Sequence, residues 1–344
     1  MTARDLTLNI VRPPSVPDIP GLIFRGFRGE EDYPHMLAVI NASKQADQIE
    51  RSDTLEDIAR NYAHLHHSNP YTDMIFAEVN GEVIAYGRVE WNVDAEGLWL
   101  GFHLAFVHPA WRRKGIGTAI LRYNEARLRA IAEGQLANRE LVPDTARFFE
   151  TWVTDTEAGK EALMFKEGYT PVRYGFSMVR QLSEPIEITP MPEGLEIRPV
   201  LPEQYRAVWD ASQEAFRDHW GYIPAPEEEY QRWLKEPEFE PELWKVAWEG
   251  DQVAGMVLNF IDRDENEEYH RKRGYTEGIS VRRPWRRRGL ARALLTRSLQ
   301  MFKEMGMDEA ALGVDSQNLS GAFNLYESVG FRVQKHHTTF RKKF

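Results

Sequence analysis

Apolar positions follow two periods along this chain, and the order in which those periods alternate occurs twice. A short apolar strand, LIFRGFR at residues 22–28, precedes a segment of helical period over Glu30–Gln45, and LEIRPV at 195–200 precedes another over Pro202–Phe216. Each is followed by a β-rich run, a short turn and a second β-rich run, with the turns at Asn80-Gly81 and Gly250-Asp251. Turn residues between such runs predict a hairpin in each half. A third strand (Leu104–Val107; Gly278–Val281), a loop and a helix follow. Each half then gives a strand (Phe148–Thr154; Glu309–Asp315), a further helix and a closing Gly-aromatic pair, Gly168-Tyr169 and Gly330-Phe331. The order β-α-α-β-β-β-loop-α-β-α-β-β predicts, in each half, an α/β fold with a mixed sheet and helices on both faces.

The repeat is sharpest at the loops. FVHPAWRRKGIGTAIL (Phe106–Leu121) and SVRRPWRRRGLARALL (Ser280–Leu295) align without a gap at an offset of 174, which places Trp111 on Trp285 and Gly115 on Gly289. At the closing Gly-aromatic pairs the offset has fallen to 162, and the extra residues of the first half are expected in GQLANRELVPDTAR, residues 134–147, as a surface excursion. These alignments predict a Pro-rich tail over 1–20, a first domain over 21–182, a linker over 183–194 and a second domain over 195–344.

A loop of this kind has specific chemistry. A helix that starts straight after a tight turn leaves backbone N–H groups unpaired and pointing one way, and with the helix dipole it forms an anion site. The second loop offers Arg286, Arg287, Arg288, Gly289, Leu290 and Ala291, and the first offers Arg112, Arg113, Lys114, Gly115, Ile116 and Gly117. Neither ends in the Gly-Lys-Ser/Thr of a nucleotide triphosphate loop, and the third glycine of a dinucleotide fingerprint is missing. With these motifs in this order, the chain resembles the GNAT superfamily of N-acetyltransferases, as two tandem copies from Gly21 to the C-terminus.

That resemblance implies acetyl-coenzyme A as the cofactor, its pyrophosphate held by the loops and its pantetheine arm by the preceding strands at Val107, Ile279 and Val281. It also implies a general acid within an Asn-x-x-Gly-Ala-x-x-Leu-Tyr pattern. The second half carries the pattern in full, as Asn318, Gly321, Ala322, Leu325 and Tyr326, so Tyr326 is the expected acid and Asn318 an expected cofactor contact. In the first half Met164 stands at the Tyr326 position and Thr156 at the Asn318 position. Methionine cannot donate a proton, so the first domain is expected to be catalytically degenerate.

Glu277, on the strand leading into the second loop, is a candidate base for the acceptor amine, with a rim salt bridge as the alternative reading; its counterpart is His103. His219 and Trp220 are candidate substrate contacts, although such pairs also serve as packing anchors. The expected reaction is direct attack of a primary amine, from a small molecule or a peptide, on the thioester. The alternative is an acyl-coenzyme A-binding pseudoenzyme that senses or scaffolds.

Bulk properties narrow the classes further. A net charge of −10 argues against a nucleic-acid partner, and the absence of cysteine removes thiolate nucleophiles and Cys-based metal sites. No metal site is expected: His64, His66 and His67 read as a solvated helix end, and Asp262–Glu268 as a charged loop lacking the turn glycine of a calcium motif. With no signal peptide and no membrane-length apolar run, no membrane association is expected and a cytoplasmic location follows. The identity of the acceptor and the oligomeric state are left open.

Overall fold

The computed structural model describes residues 9–317 and 321–344, and the chain divides into two compact units. Unit 1 comprises Met1–Val172 together with Thr339–Phe344, and unit 2 comprises Arg173–Thr338.

Along unit 1 the elements are β1 (Leu22–Arg25), α1 (Tyr33–Ala46), α2 (Leu55–Ala63), α3 (Pro70–Asp73), β2 (Met74–Val79), β3 (Glu82–Val93), β4 (Trp99–Val107), α4 (Ile116–Ala137), β5 (Arg147–Thr154) and α5 (Ala158–Lys166). Then comes β6 (Thr170–Gln181), which runs on into unit 2. The sheet of unit 1 runs β1-β2-β3-β4-β5, and β5 is flanked by the last residues of the chain, where the Phe344 N–H reaches the Arg147 carbonyl at 3.2 Å. The β2–β3 turn places Asn80 at φ 51° and Gly81 at φ 89°, the two left-handed residues of a tight hairpin, as their sequence predicts.

Strand alternation separates two packing faces. Phe76 and Tyr86 join Met36, Val39 and Ile40 of α1, whereas Ile75, Ala77 and Ala85 join Ile116, Ala119 and Ile120 of α4. The mixed sheet therefore has helices on both faces. A third cluster, with Trp99, Leu128, Phe149 and Tyr169, is completed by Phe340, and Phe344 stacks on Phe149 with ring centroids 4.1 Å apart.

Unit 2 repeats the plan with β7 (Glu196–Ile197), α6 (Tyr205–Phe216), α7 (Glu227–Trp233), β8 (Lys245–Glu249), β9 (Gln252–Phe260), α8 (Arg263–Glu268), β10 (Arg273–Val281), α9 (Leu290–Glu304), β11 (Glu309–Asp315), α10 (Ala322–Ser328) and β12 (Arg332–Lys343), whose residues from Thr339 belong to unit 1. Its sheet runs β7-β8-β9-β10-β11-β6, with β11 antiparallel to β6 from Glu309↔Gln181 to Asp315↔Gly175. Val208 and Ala211 of α6 cover one face with Trp244 and Val246, while Leu290 and Leu294 of α9 cover the other with Ala247 and Val257.

Three expectations meet a different arrangement. The segment 183–194, read as a linker, is packed along α9: the Thr189 N–H reaches Thr296 Oγ1 at 3.2 Å, and Arg297 holds the Thr189 carbonyl at 2.5 Å. The extra residues of the first half lengthen a helix as well as a loop, because α4 has 22 residues against 15 in α9. The acidic run, read as a loop, contains α8, because Asp262 accepts the Glu265 N–H at 2.8 Å and so caps a helix. Its Glu265 is buried and paired with Arg271 and Tyr275. Among the described residues no helix is long and apolar enough to cross a membrane, and no cluster of residues could hold a metal ion.

Candidate functional site

Each unit has a cleft where two parallel strands part. In unit 2 the β10–β11 ladder covers only Arg273–Tyr275 against Glu309–Ala311, and in unit 1 the β4–β5 ladder covers Trp99–Phe102 against Arg147–Glu150. Beyond those pairs the strands diverge toward the loop, and the gap is a cleft of about 820 Å³ in unit 2 and about 450 Å³ in unit 1.

The two loops have the same backbone. Arg113 and Arg287 both have φ 62°, and the glycines that start α4 and α9, Gly115 and Gly289, have φ 90° and 83°. Two left-handed residues flanking one residue turn the chain sharply into the helix, and the first-turn N–H groups of the helix then face the cleft mouth. A methyl group added at Gly289 would meet nothing within 4 Å, so the cradle is open on that side.

The basic side chains divide into two roles. Arg112 is committed to the protein: its Nε donates to the Val107 carbonyl at 3.1 Å, and its two Nη groups reach Asp47 at 2.6 and 2.7 Å. Arg286 repeats this with the Val281 carbonyl at 2.9 Å and Asp218 at 3.1 Å, and Arg283 together with Arg286 holds the Asp218 carboxyl down at about 2. Lys114 lies over the Trp111 ring, and Arg288 donates to the Glu193 carbonyl. Arg113 and Arg287 alone among these loop cations line their clefts with no protein partner among the described residues. Of the remaining expected loop contacts, Gly115, Gly117, Gly289, Leu290 and Ala291 line the clefts, whereas Ile116 is buried in the core.

The inner ends differ between units. In unit 2 the β9–β10 register shifts between Glu277 and Ser280, and Gly278 has φ 57°. This bulge leaves Gly278 and Ile279 outside the β9 ladder. Glu277, Ile279 and Val281 line the cleft with Tyr326, which is 5% exposed. Burial pushes the Tyr326 hydroxyl up, and the Glu277 charge pushes it further in the same direction. Loss of water raises the Glu277 carboxyl to about 7, against the opposing effect of the Gly313 N–H that it accepts at 2.9 Å. Among the described residues Glu277 makes no ion pair, which leaves the rim salt bridge without support. His219 lines the same cleft, edge-on to Phe216, whereas Trp220 lies beneath the Arg173 guanidinium that pairs with Asp315. Asn318 lies outside the described residues.

In unit 1 the β3–β4 ladder runs unbroken from Ala85↔Val107 to Val93↔Trp99. His103, Ala105 and Val107 share the cleft face, with Thr151 and Met164 across from them. His103 is buried, its Nε2 lies 2.8 Å from Tyr169 Oη, and burial with the nearby Lys160 and Lys342 lowers its imidazole to about 3. Its partner was not foreseen. The signal was there in the aligned repeats, where Tyr169 of the first half stands opposite Phe331 of the second.

Comparison with known proteins agrees with this geometry in both units. The sequence profile described as "Acetyltransferase (GNAT) family" matches residues 205–331, and that of a GNAT acetyltransferase domain matches residues 70–152. Mycothiol acetyltransferase of Salinispora arenicola is 27% identical over 327 residues, covering 90% of this chain and 94% of that protein. Its counterpart in Salinispora tropica is 27% identical, covering 88% and 91%. A GCN5-related N-acetyltransferase from Sphaerobacter thermophilus superposes with a TM-score of 0.71 at 27% identity, over 96% of this chain and 97% of that one. A tandem GNAT protein from the clavulanic acid biosynthesis pathway shares the fold at 15% identity, with a TM-score of 0.65 over 94% and 98% of the two chains.

Proposed function

Since the chain belongs to the GNAT acetyltransferase family with two such domains, we propose that it transfers an acetyl group from acetyl-coenzyme A to a primary amine, with the working site in unit 2. The observation that carries this reading is the pairing, in one cleft, of a buried tyrosine with a carboxyl raised to about 7, directly inside the helix-start loop.

The residues of that cleft fit such a ligand. The open Gly289 turn and the unpaired Arg287 suit a pyrophosphate, while Ile279 and Val281 offer an apolar wall to the pantetheine arm. Acetyl-coenzyme A supplies the activated acyl group as a thioester. Gly278 and Ile279, outside the β9 ladder, have backbone N–H groups available to polarise the acyl carbonyl. Glu277 takes the proton from the acceptor ammonium, which a carboxylate of ordinary acidity would do far less well at neutral pH. Tyr326, whose hydroxyl burial shifts still further above the neutral range, carries its proton at neutral pH and can deliver it to the departing sulfur.

The sequence has no cysteine to act as a thiolate acyl carrier, which supports direct transfer without an acyl-enzyme. Arg112 and Arg286 brace the loops against α1 and α6 and do not themselves bind phosphate, a role left to Arg113 and Arg287. Relatives named mycothiol acetyltransferase support a small-molecule amine as acceptor. The test is thiol release from acetyl-coenzyme A across a panel of small amines. An accepted amine whose turnover survives both Tyr326→Phe and Glu277→Gln unchanged would remove unit 2 as the active site.

A further inference from the structure

Strand register sorts the lining of the unit 2 cleft into two halves. Ile279 and Val281 pack with Leu290 of α9, whereas Glu277 and Ser280 pair with Leu258 and Met256 of β9, which pack with Val208 and Ala211 of α6. Residues three apart on a regular strand face opposite ways. The bulge between these two adds one residue and so brings Glu277 and Ser280 to the same face, about 7 Å apart along the strand. On that side Phe216, at the end of α6, and His219, just beyond it, also line the cleft.

Ser280 is only 8% exposed, it lines the cleft, and its Oγ makes no hydrogen bond among the described residues. Thr276, the other hydroxyl on this stretch of β10, is satisfied by donating to the Ala311 carbonyl at 3.2 Å. A buried hydroxyl without a partner costs free energy, so its retention calls for a reason. The fold does not supply one. Counted back from Val107 and Val281 along the partner strands, the positions of Ser280 and Glu277 in unit 1 are Phe106 and Leu104, which pack against the α1 cluster. The ungapped sequence alignment, which sets His103 opposite Glu277, is one residue out across the bulge. An apolar pair thus fills these positions in the unit whose strand is regular, and a carboxyl and a free hydroxyl stand together in the unit whose strand is bulged.

Resting on the reading of this cleft as the active site, we propose that Ser280 Oγ binds the attacking nitrogen of the acceptor amine beside Glu277. Glu277 Oε1 is held by the Gly313 N–H at 2.9 Å, which leaves Oε2 for the acceptor. A primary ammonium has three hydrogens. One passes to Glu277 as a proton, a second donates to Ser280 Oγ, and the lone pair freed by the first is turned toward the half of the cleft lined by Ile279 and Val281, where the thioester lies. Ser280 exchanges no proton; it fixes the direction of attack.

Threonine and valine at position 280 have nearly the same volume and differ by a hydroxyl. With an amine that the protein accepts, Ser280→Val should lower kcat/KM for the amine at least about tenfold, while Ser280→Thr should stay within about threefold of the wild type, and the KM for acetyl-coenzyme A should be unchanged in both. Ser280→Ala should unfold in urea at or above the wild-type midpoint, because it removes a hydroxyl that the fold leaves unpaired. Equal turnover of the valine and threonine variants, or a lowered midpoint for Ser280→Ala, overturns the inference and leaves unit 2 as the active site. A panel in which no amine is accepted, or an amine whose turnover survives both Tyr326→Phe and Glu277→Gln, overturns the reading of the cleft and this inference with it.

Discussion

In unit 2 the strand entering the loop is broken by a bulge at Gly278 and brings Glu277 to the cleft that Tyr326 also lines, whereas in unit 1 it runs unbroken from Trp99 to Val107 and brings His103 to the cleft that Met164 also lines. The loops that follow are the same to within a few degrees of φ. One chain therefore keeps the loop backbone constant and varies what lies inside it. On the proposed function, ligand binding and chemistry would be separable in this fold, because the grip would depend on backbone and the chemistry on two side chains and a bulge.

The largest break expected in that comparison comes from Glu277→Gln. Removing a base of this kind should lower kcat/KM about a hundredfold at pH 8. Wild-type kcat/KM should rise with pH through an apparent value of about 7, where Glu277 ionises, and this rise should vanish in the variant. A rise that persists in Glu277→Gln would assign it to the amine itself. Tyr326→Phe comes next: kcat should fall at least tenfold, about 1.4 kcal/mol in the barrier, with the affinity for coenzyme A nearly unchanged. Met164→Tyr in unit 1 sharpens the point, since a tyrosine placed beside a neutral His103 should restore nothing in a Glu277→Gln background. Measurable rescue there would show that the acid alone suffices.

How much of this could be read from the chain depends on whether the signal was local. Hairpins, helix starts and loops were legible because each is set by a few adjacent residues: Asn80-Gly81 takes the turn it predicts, and β11 spans the expected Glu309–Asp315. The closing strands were not. The residues of β6 from Gly175 pair with β11, and Thr339–Phe344 contribute Phe340 and Phe344 to unit 1, a choice of partner set by tertiary packing with no local mark. Pro-rich residues 183–194 read as a linker because periodicity cannot reveal backbone hydrogen bonds to Thr296 and Arg297. Within the site, the acid and base candidates were visible by motif and position. The engagement of Arg112 by Asp47, 65 residues away in sequence, was beyond reach.

Smaller effects probe the shared part. Gly115 and Gly289 both adopt left-handed φ, so alanine at either should destabilise its unit by about 1 kcal/mol. The unit 1 variant should lose more, because a Cβ at Gly115 would lie 3.2 Å from Pro17 Cβ while one at Gly289 meets nothing within 4 Å. Urea unfolding of the two variants measures the difference, and equal losses would mean that the tail residues yield without cost.

The smallest expected effect has the opposite sign. Burial raises the Glu277 carboxyl from its ordinary 4.5 to about 7, so the folded state holds this proton more tightly than the unfolded chain. The stability associated with that proton is fully present below pH 4.5 and is lost as the pH rises through 7. Above that, the ionised carboxylate works against folding, and Glu277→Gln should make the protein more stable by about 1 kcal/mol at pH 8, well under the full value of the shift because the side chain is only partly enclosed. The gain should shrink to nothing near pH 4.5, where both side chains are neutral and both can accept from the Gly313 N–H. Denaturant midpoints at the two pH values decide the matter. A variant that is destabilised equally at both would mean that Glu277 is held for packing, and a gain confined to pH 8 would mark it as a group kept for chemistry at the expense of the fold.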